Sequence, residues 1–292
     1  MAAEHARIRV RLAERLRAEA RSAWAAVDPA RISETWNAQL ARLVLLLTAG
    51  QRAAAASADQ YVAEVLARQG INPATEGRIN PSALAGIASD GRNLDSLLAQ
   101  PGIVAKVALS SGATLDAAMA TGSALAQLIG YTQVADAGRV ADGVALAARP
   151  HASGYVRMVQ AGACSRCIIL AGRWYRWNAG FNRHPHCGCV GIPAAENSVD
   201  LRTDPGKAFE ALSGAEQDKT FGKAGAQAIR DGADTAKVVN ARRGMQTAAD
   251  GRLYTTEAAG RRPRLMPEQI YREAKGSRDE AIRLLRLHGF IL

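Results

Sequence analysis

Aromatic residues are scarce in this sequence: Phe, Trp and Tyr make up 5% of its 292 residues, although 48% of the chain is hydrophobic. Much of the apolar content of the first half is alanine, the strongest helix former. We therefore expect thin helix-on-helix interfaces there rather than a bulky core. The length allows one or two domains of ordinary size.

Long apolar runs are also missing. The run Leu43–Leu47 lies between Arg42 and Arg52 and is far too short to cross a bilayer. Residues Met1–Ala25 mix Arg with Glu and contain no apolar segment of the kind found in signal peptides. We therefore expect no membrane span and no export, so that the chain is made in a reducing cytoplasm.

The motifs of common enzymes are absent as well. The sequence has no Gly-x-Ser-x-Gly elbow, no phosphate loop ending in Lys-Ser or Lys-Thr, and no His-Glu-x-x-His zinc motif. A protease triad can be assembled from Asp142, His151 and Ser153, but such common residue types carry little information without geometry. We expect a protein that is not an enzyme, with no catalytic residues and no small-molecule substrate.

What the sequence does contain is a compact cluster of cysteine and histidine. All four cysteines and two of the five histidines lie in one short stretch. In chain order they are Cys164, Cys167, His184, His186, Cys187 and Cys189. Two cysteines separated by two residues let both thiolates reach one zinc ion. The sequence therefore predicts one structural zinc ion per chain.

The cluster leaves two ligand sets open. One consists of the four cysteines, and the other of Cys164, Cys167 and His184 with either Cys187 or Cys189. Disulfides and buried thiols are the alternatives, and a reducing compartment favours metal or thiol over disulfide. A catalytic zinc would need an open fourth position and a nearby acid or base, which this stretch does not offer.

Three short strands are predicted around the cluster from their aromatic and β-branched residues. They are Tyr155–Val159, Arg173–Trp177 and Cys189–Ile192. Because so little apolar surface seldom closes a core, a zinc ion would hold these strands together. Residues 151–200 are therefore predicted to form a β-rich zinc knob.

The rest of the chain is predicted to be helical. Residues 1–150 form an Ala-rich docking region with a break at Asp28-Pro29 and a joint near residues 70–86, and residues 201–292 form a basic region of short helices. The predicted fold class is mainly α with a small β-rich zinc-binding knob, an α+β arrangement. It has a multi-helix N-terminal part and a short-helix C-terminal part.

Helix starts are predicted where a capping side chain or a proline precedes a helical pattern. These positions are Ser33, Thr114, Thr132, Ser213, Pro267 and Ser277. The apolar tail that begins at Phe290 is expected to pack on its own domain or on a neighbouring subunit.

The net charge of +10 is unevenly distributed. Residues 1–150 contain 15 Lys and Arg against 13 Asp and Glu, whereas residues 151–292 contain 22 against 14. The densest basic points are Arg242, Arg243, Arg261, Arg262 and Arg264. DNA phosphates would bind such points in a salt-sensitive way without sequence preference. A solvated basic surface, or a partner protein with an acidic face, explains the charge equally well.

The cysteine cluster resembles the signature of a known family. Gly162-Ala-Cys164-Ser-Arg-Cys167, followed by His184-Pro-His-Cys187-Gly-Cys189, is similar to the pattern of the phage Mu F-like minor head proteins, also called phage head morphogenesis proteins. Phe221–Lys223 and Val238–Gly244 resemble two further segments of that family. Ala163 departs from the pattern, because an aspartate commonly precedes the first cysteine.

The resemblance implies that the candidate zinc ligands are Cys164, Cys167, His184, Cys187 and Cys189. It also implies a low-copy structural protein of the virion, made in the host cytoplasm and located inside the capsid at the portal vertex. There it would aid head assembly and the packaging or ejection of DNA. The expected partners are the portal protein, other capsid proteins and packaged double-stranded DNA. A capsid-maturation protease is the alternative, followed by a soluble zinc-containing DNA-binding protein.

Overall fold

The computed structural model of the chain describes residues 1–159, 162–180, 189–198, 201, 203–257 and 263–291. The protein is mainly helical, at 63%, with two small antiparallel sheets, in agreement with the predicted α+β class. The chain divides into two compact units. Met1–Gln160 and Trp174–Leu201 form the N-terminal unit, and Ala161–Arg173 and Arg202–Leu292 form the C-terminal unit.

A long central helix organises the N-terminal unit. The helices are α1 (Ala2–Ala25), α2 (Ile32–Ala56), α3 (Ala58–Arg68), α4 (Leu94–Leu98), α5 (Gln100–Ser110) and α6 (Leu115–Ala147). Helices α1, α2, α3 and α5 all pack against α6. Among the described residues, none of the helices has the length and apolar character that a membrane crossing requires.

The predicted break between α1 and α2 is confirmed, but its cap differs from the prediction. Asp28 Oδ1 accepts a hydrogen bond from the Ala30 N–H at 2.9 Å, and Pro29 begins a short 3-10 turn ahead of α2. Ser33 lies inside α2, so its predicted role as a helix start is wrong. Asp28 is the better cap because proline follows it and fixes the backbone of the first turn.

Helix α6 is continuous where shorter helices were predicted. Thr114 caps it as expected, since its Oγ1 accepts a hydrogen bond from the Ala117 N–H at 3.3 Å. The helix start predicted at Thr132 is wrong, because Thr132 lies in the middle of α6. Packing against four other helices keeps α6 helical through this threonine, and tertiary contacts of this kind routinely override local preference.

Glycines on α6 allow α1 to approach closely. An ideal Cβ built on Gly130 would lie 2.8 Å from the carbonyl oxygen of Leu16, and one on Gly122 would lie 2.1 Å from the ring of Trp24. The interface is therefore as thin as the sequence predicts. The surrounding core still buries two of the few aromatic residues, Trp24 of α1 and Trp36 of α2, whose rings meet edge to face with centroids 5.0 Å apart.

The three predicted strands are confirmed and form one sheet in the N-terminal unit. Strands β1 (Gly154–Met158), β2 (Trp174–Arg176) and β3 (Val190–Ala194) are antiparallel in the order β2-β1-β3. The sheet is fixed to α3, because Tyr61 Oη donates to the Gly191 carbonyl at 3.0 Å and Gln69 Nε2 donates to the Pro193 carbonyl at 2.7 Å. Hydrogen bonds to α3 therefore contribute to the packing of these strands, for which the sequence alone had suggested a zinc ion.

The C-terminal unit consists of short helices and a second small sheet. The helices are α7 (Ser165–Ile168), α8 (Pro205–Glu210), α9 (Gly214–Phe221), α10 (Lys223–Arg230), α11 (Thr235–Ala241), α12 (Pro267–Ala274) and α13 (Arg278–Leu287). Strands β4 (Met245–Thr247), β5 (Leu253–Thr255) and β6 (Arg264–Leu265) are antiparallel in the order β4-β5-β6. This second sheet was not predicted from the sequence.

The predicted helix caps of the C-terminal unit are confirmed. Ser213 and Glu216 form a reciprocal capping box, and Ser277 Oγ accepts a hydrogen bond from the Glu280 N–H at 3.3 Å. Pro267 is the first residue of α12. The apolar tail packs on its own unit, where Phe290 is fully buried.

Asp231 connects three helices of the C-terminal unit. Its side chain is 4% exposed and accepts hydrogen bonds from Tyr271 Oη at 2.7 Å, from Gln227 Nε2 at 3.2 Å and from Arg278 Nε at 3.2 Å. Burial by itself would raise the pKa of Asp231. The three hydrogen bonds and the charge of Arg278 outweigh burial and hold this pKa below its ordinary value.

Candidate metal centre

The first cysteine pair begins the short helix α7. The carbonyl oxygen of Cys164 accepts the backbone N–H of Cys167 at 2.9 Å and that of Ile168 at 3.1 Å. Cys164 is thus the N-cap residue and Cys167 the third residue of the helix, two positions whose side chains lie next to each other. Cys164 is half-buried and Cys167 is 2% exposed. This turn is suited to two thiolates that bind one ion.

Helix α7 packs into a small apolar core of the C-terminal unit. We call this cluster the α7 core, and its buried members are Ile168, Phe209, Phe221, Ala226 and Val239. The rings of Phe209 and Phe221 meet edge to face with centroids 5.2 Å apart. The core therefore brings α7 together with the two family-like segments, which contain Phe221 and Val239.

A glycine and an arginine connect those two segments. Gly222 has a φ of +76°, in the region that favours glycine, and an ideal Cβ there would lie 2.8 Å from Arg242 Nη2. Arg242 Nη2 donates to the Phe221 carbonyl at 3.0 Å and to Glu268 Oε1 at 2.8 Å. Arg242 was predicted from the sequence to contact phosphate, and in the structure its guanidinium has these two internal partners.

The other basic candidates differ in their surroundings. Arg264 lies over the Phe290 ring, 4.5 Å from its centroid, and donates from Nε to the His288 carbonyl at 2.6 Å. Burial lowers the pKa of this guanidinium. Arg243 is exposed, whereas Arg261 and Arg262 lie outside the described residues. Of the described candidates, Arg243 is the most accessible to a phosphate.

Cys189 belongs to the N-terminal unit and directly precedes β3. It is 1% exposed, and Arg157 Nη2 donates to its Sγ at 3.6 Å. Arg157 itself is 2% exposed, so it does not belong to the accessible basic surface of the chain.

Three of the five candidate ligands, Cys164, Cys167 and Cys189, lie in the part of the chain that the structure describes. His184 and Cys187 lie outside the described residues, as does His186. Within the described part, no three or more His, Cys, Asp or Glu side chains are grouped so that they could hold a metal ion. Both ligand sets predicted from the sequence therefore stay open.

A buried ionic cluster joins α1, α3 and α6 in the N-terminal unit. The His5 ring stacks on Tyr61 with centroids 3.7 Å apart, and His5 Nε2 lies 3.3 Å from Asp142 Oδ1. Arg9 pairs with the same carboxylate and donates to the Gly138 carbonyl at 2.7 Å. Burial raises the pKa of Tyr61, and the charge of Asp142 raises it further.

This ionic cluster accounts for Asp142 in the triad considered from the sequence. The Asp142 carboxylate contacts Arg9 and His5, while His151 and Ser153 are exposed at the surface. The partners of the Asp142 carboxylate are therefore the structural residues Arg9 and His5 and not His151. The geometry required for a Ser-His-Asp triad is not assembled from these three residues.

Comparisons with known protein families, with curated proteins and with solved structures found no match for this chain.

Proposed function

We propose that this chain is a structural minor capsid protein of a tailed bacteriophage, a head morphogenesis protein that lies inside the head near the portal. The observation that carries the proposal is the spacing of cysteine and histidine from Cys164 to Cys189, which resembles the phage Mu F-like pattern. The α7 core adds support, because Phe221–Lys223 and Val238–Gly244, which also resemble the family, meet around the helix that begins at the first cysteine pair.

The proposed cofactor is one structural zinc ion per chain. Cys164 and Cys167 supply two of its ligands, and His184, Cys187 and Cys189 are the candidates for the other two. Helix α7 has four residues, too few for a helix to be stable by itself. A bound zinc ion supplies folding free energy to such a segment. The burial of Cys167 shields the thiolate from solvent.

Metal analysis of freshly purified protein tests the zinc proposal. We expect about one zinc per chain, and Cys164→Ser should lose both the metal and the ordered α7 turn. Ser165→Ala, on the adjacent residue of the same turn, is the matched control and should keep the metal. A metal-free protein with an intact fold would contradict the proposal.

The proposed docking surface lies on the N-terminal helices. On α5, Ile103 is 44% exposed and Val107 is 56% exposed, one turn apart, and Lys106 is the single charged residue of that helix. An exposed apolar face of this kind is typical of a protein contact surface. The proposed partners of the N-terminal helices are the portal protein and other capsid proteins.

The proposed DNA-facing surface is basic. Residues 151–292 contain 22 Lys and Arg against 14 Asp and Glu, whereas the first 150 residues are nearly balanced. Contacts with packaged double-stranded DNA would be made to phosphates, without sequence preference. Arg243 is the described residue we assign to this role, because it is exposed and next to Arg242.

Fractionation of infected-cell lysate tests the proposed function. We expect the chain to sediment with precursor and finished heads, and Ile103→Ser combined with Val107→Ser to weaken its incorporation. Leu287→Ser is the control, because Leu287 is 67% exposed and lies in the C-terminal unit. A chain that stays free in lysate and is absent from heads at every stage would contradict the proposal.

A further inference from the structure

A cavity of about 250 Å³ lies in the N-terminal unit, between one face of α6 and the three-stranded sheet. Helix α6 contributes Val140 and Leu146 to its wall. Tyr155 of β1 and Pro193 of β3 line the opposite side, and Trp177, just after β2, lies beside them. Aliphatic and aromatic side chains therefore meet at one concave site.

The mouth of this cavity carries exposed apolar side chains. Trp177 is 50% exposed and Val140 is 45% exposed. Single apolar residues at a surface are ordinary, whereas exposed apolar side chains that line a cavity are typical of a binding site.

The charged residues in the wall already have partners. Arg139 Nη1 donates to Asp136 Oδ1 at 2.6 Å, and Arg139 Nε donates to the Cys189 carbonyl at 3.1 Å. The Asp142 carboxylate is held by Arg9 and His5. A charged ligand would find no uncompensated opposite charge here, so the cavity favours a neutral ligand.

Glycines and one tyrosine give the cavity its shape. An ideal Cβ on Gly143 or on Gly180 meets no atom within 4 Å, so both residues face open space. A Cβ on Gly191 would lie 2.8 Å from the Tyr155 ring, so glycine there lets the ring lie against β3. Tyr155 Oη donates to the Ala179 carbonyl at 2.5 Å and thereby fixes the segment that carries Trp177.

We propose that this cavity binds a neutral, planar aromatic group about the size of an indole. A dry apolar cavity of about 150 Å³ admits benzene, so the larger volume here accommodates a two-ring system. The half-exposed ring of Trp177 offers a stacking partner, and the aliphatic wall offers close contacts. A free aromatic molecule and an aromatic side chain of a partner protein share this chemistry. The inference goes beyond the proposed function and does not depend on it.

Ligand titration of the full chain tests this inference. The probes are a fluoroindole, followed by fluorine NMR, and N-acetyl-tryptophanamide, followed by calorimetry. We expect saturable binding of fluoroindole with a Kd on the order of 0.1–1 mM, as ligands of this size usually allow. Tighter binding of the amide would identify a partner's side chain as the occupant, and tighter binding of fluoroindole a free molecule.

Three variants decide whether binding takes place in the cavity. Gly143→Leu fills it and should abolish binding, whereas Ala124→Leu adds the same side chain at an exposed position of α6 and should bind as the wild type does. Trp177→Ala should weaken binding roughly three- to tenfold, because it removes the stacking partner. Circular dichroism checks that each variant is folded.

Two outcomes would overturn the inference. One is the absence of saturable binding of both probes to the wild type. The other is unchanged affinity when the cavity is filled or the stacking ring is removed. Should Gly143→Leu fail to fold, Trp177→Ala still decides, since Trp177 is half-exposed and its removal leaves no buried hole.

Discussion

Replacing Gly122 by alanine is expected to destabilise the N-terminal unit, although alanine is the better helix former. The new Cβ would lie 2.1 Å from Cζ2 of Trp24, far inside van der Waals contact. The Trp24 ring is 4% exposed, and its Nε1 donates to the Met119 carbonyl at 3.0 Å. Because the ring is packed against Trp36, it has no free direction in which to move.

The opposing contributions to this change can be compared. Overpacking a core costs roughly 1–3 kcal/mol, and loss of the indole hydrogen bond adds about 1 kcal/mol. The higher helix propensity of alanine offsets about 1 kcal/mol of this destabilisation. We therefore expect the free energy of unfolding to fall by roughly 1–3 kcal/mol. Gly143→Ala is the control on the same helix, because its Cβ meets no atom within 4 Å and it should stabilise by up to about 1 kcal/mol.

Urea unfolding followed by tryptophan fluorescence measures this difference. The four tryptophans, Trp24, Trp36, Trp174 and Trp177, all belong to the N-terminal unit, so the signal reports on that unit. A Gly122→Ala variant as stable as the wild type, or equal shifts for both variants, would refute the close packing of α1 on α6.

The remaining predictions concern the C-terminal unit. Asp231→Asn should lower its free energy of unfolding by about 1–3 kcal/mol at neutral pH, because a charged hydrogen-bonding network is lost. Since the folded pKa of Asp231 lies below its ordinary value of 3.8, the carboxylate stabilises the fold above that pH, and this contribution is lost as the pH falls through the folded pKa. Urea unfolding by circular dichroism should therefore show wild type and Asp231→Asn converging in acid, and a constant difference would contradict the prediction. Arg242→Gln should destabilise the unit by about 1–3 kcal/mol, because it leaves the Phe221 carbonyl without this donor. Arg243→Gln should change the free energy of unfolding by no more than about 0.5 kcal/mol. It should, however, lower the slope of DNA affinity against salt concentration by the equivalent of about one phosphate contact. Salt titrations of DNA binding check this contrast, and equal effects of the two variants would contradict it.

Local signals in the sequence predicted much of the secondary structure. Thr114, Ser213 and Ser277 cap helices as expected, because capping depends on a side chain and a backbone N–H only a few residues away. Thr132 shows the limit of such signals. From the sequence alone, a threonine inside a long packed helix cannot be distinguished from a threonine that caps a helix. The contacts that keep α6 helical come from distant segments of the chain.

The second sheet was missed for a related reason. Strand β4 is three residues long and wholly exposed, so Met245–Thr247 shows no alternation of apolar and polar side chains. The available signal was Asp250-Gly251, a typical hairpin turn, which leads into β5. Two glycines of α6, Gly122 and Gly130, were also overlooked, although their eight-residue spacing places both on one helix face.

The residue types of the candidate site could be predicted from the sequence, whereas their arrangement in space could be predicted only in part. The Cys164–Cys167 spacing predicted two thiols on one turn, and α7 has this arrangement. Cys164 and Cys167 belong to the C-terminal unit, whereas Cys189 belongs to the N-terminal unit. This division of the cysteines between two units could not be predicted from their spacing. The unit to which a residue belongs depends on long-range packing, which a short motif does not encode.

Quantitative mass spectrometry of purified phage particles tests the proposed function most directly. The abundance of this chain would be measured relative to the portal and the major capsid protein in precursor and finished heads. The proposal predicts a constant ratio of a few copies per portal in finished heads. Absence from finished heads together with presence in precursors would contradict a structural role and favour a transient assembly factor or a maturation enzyme.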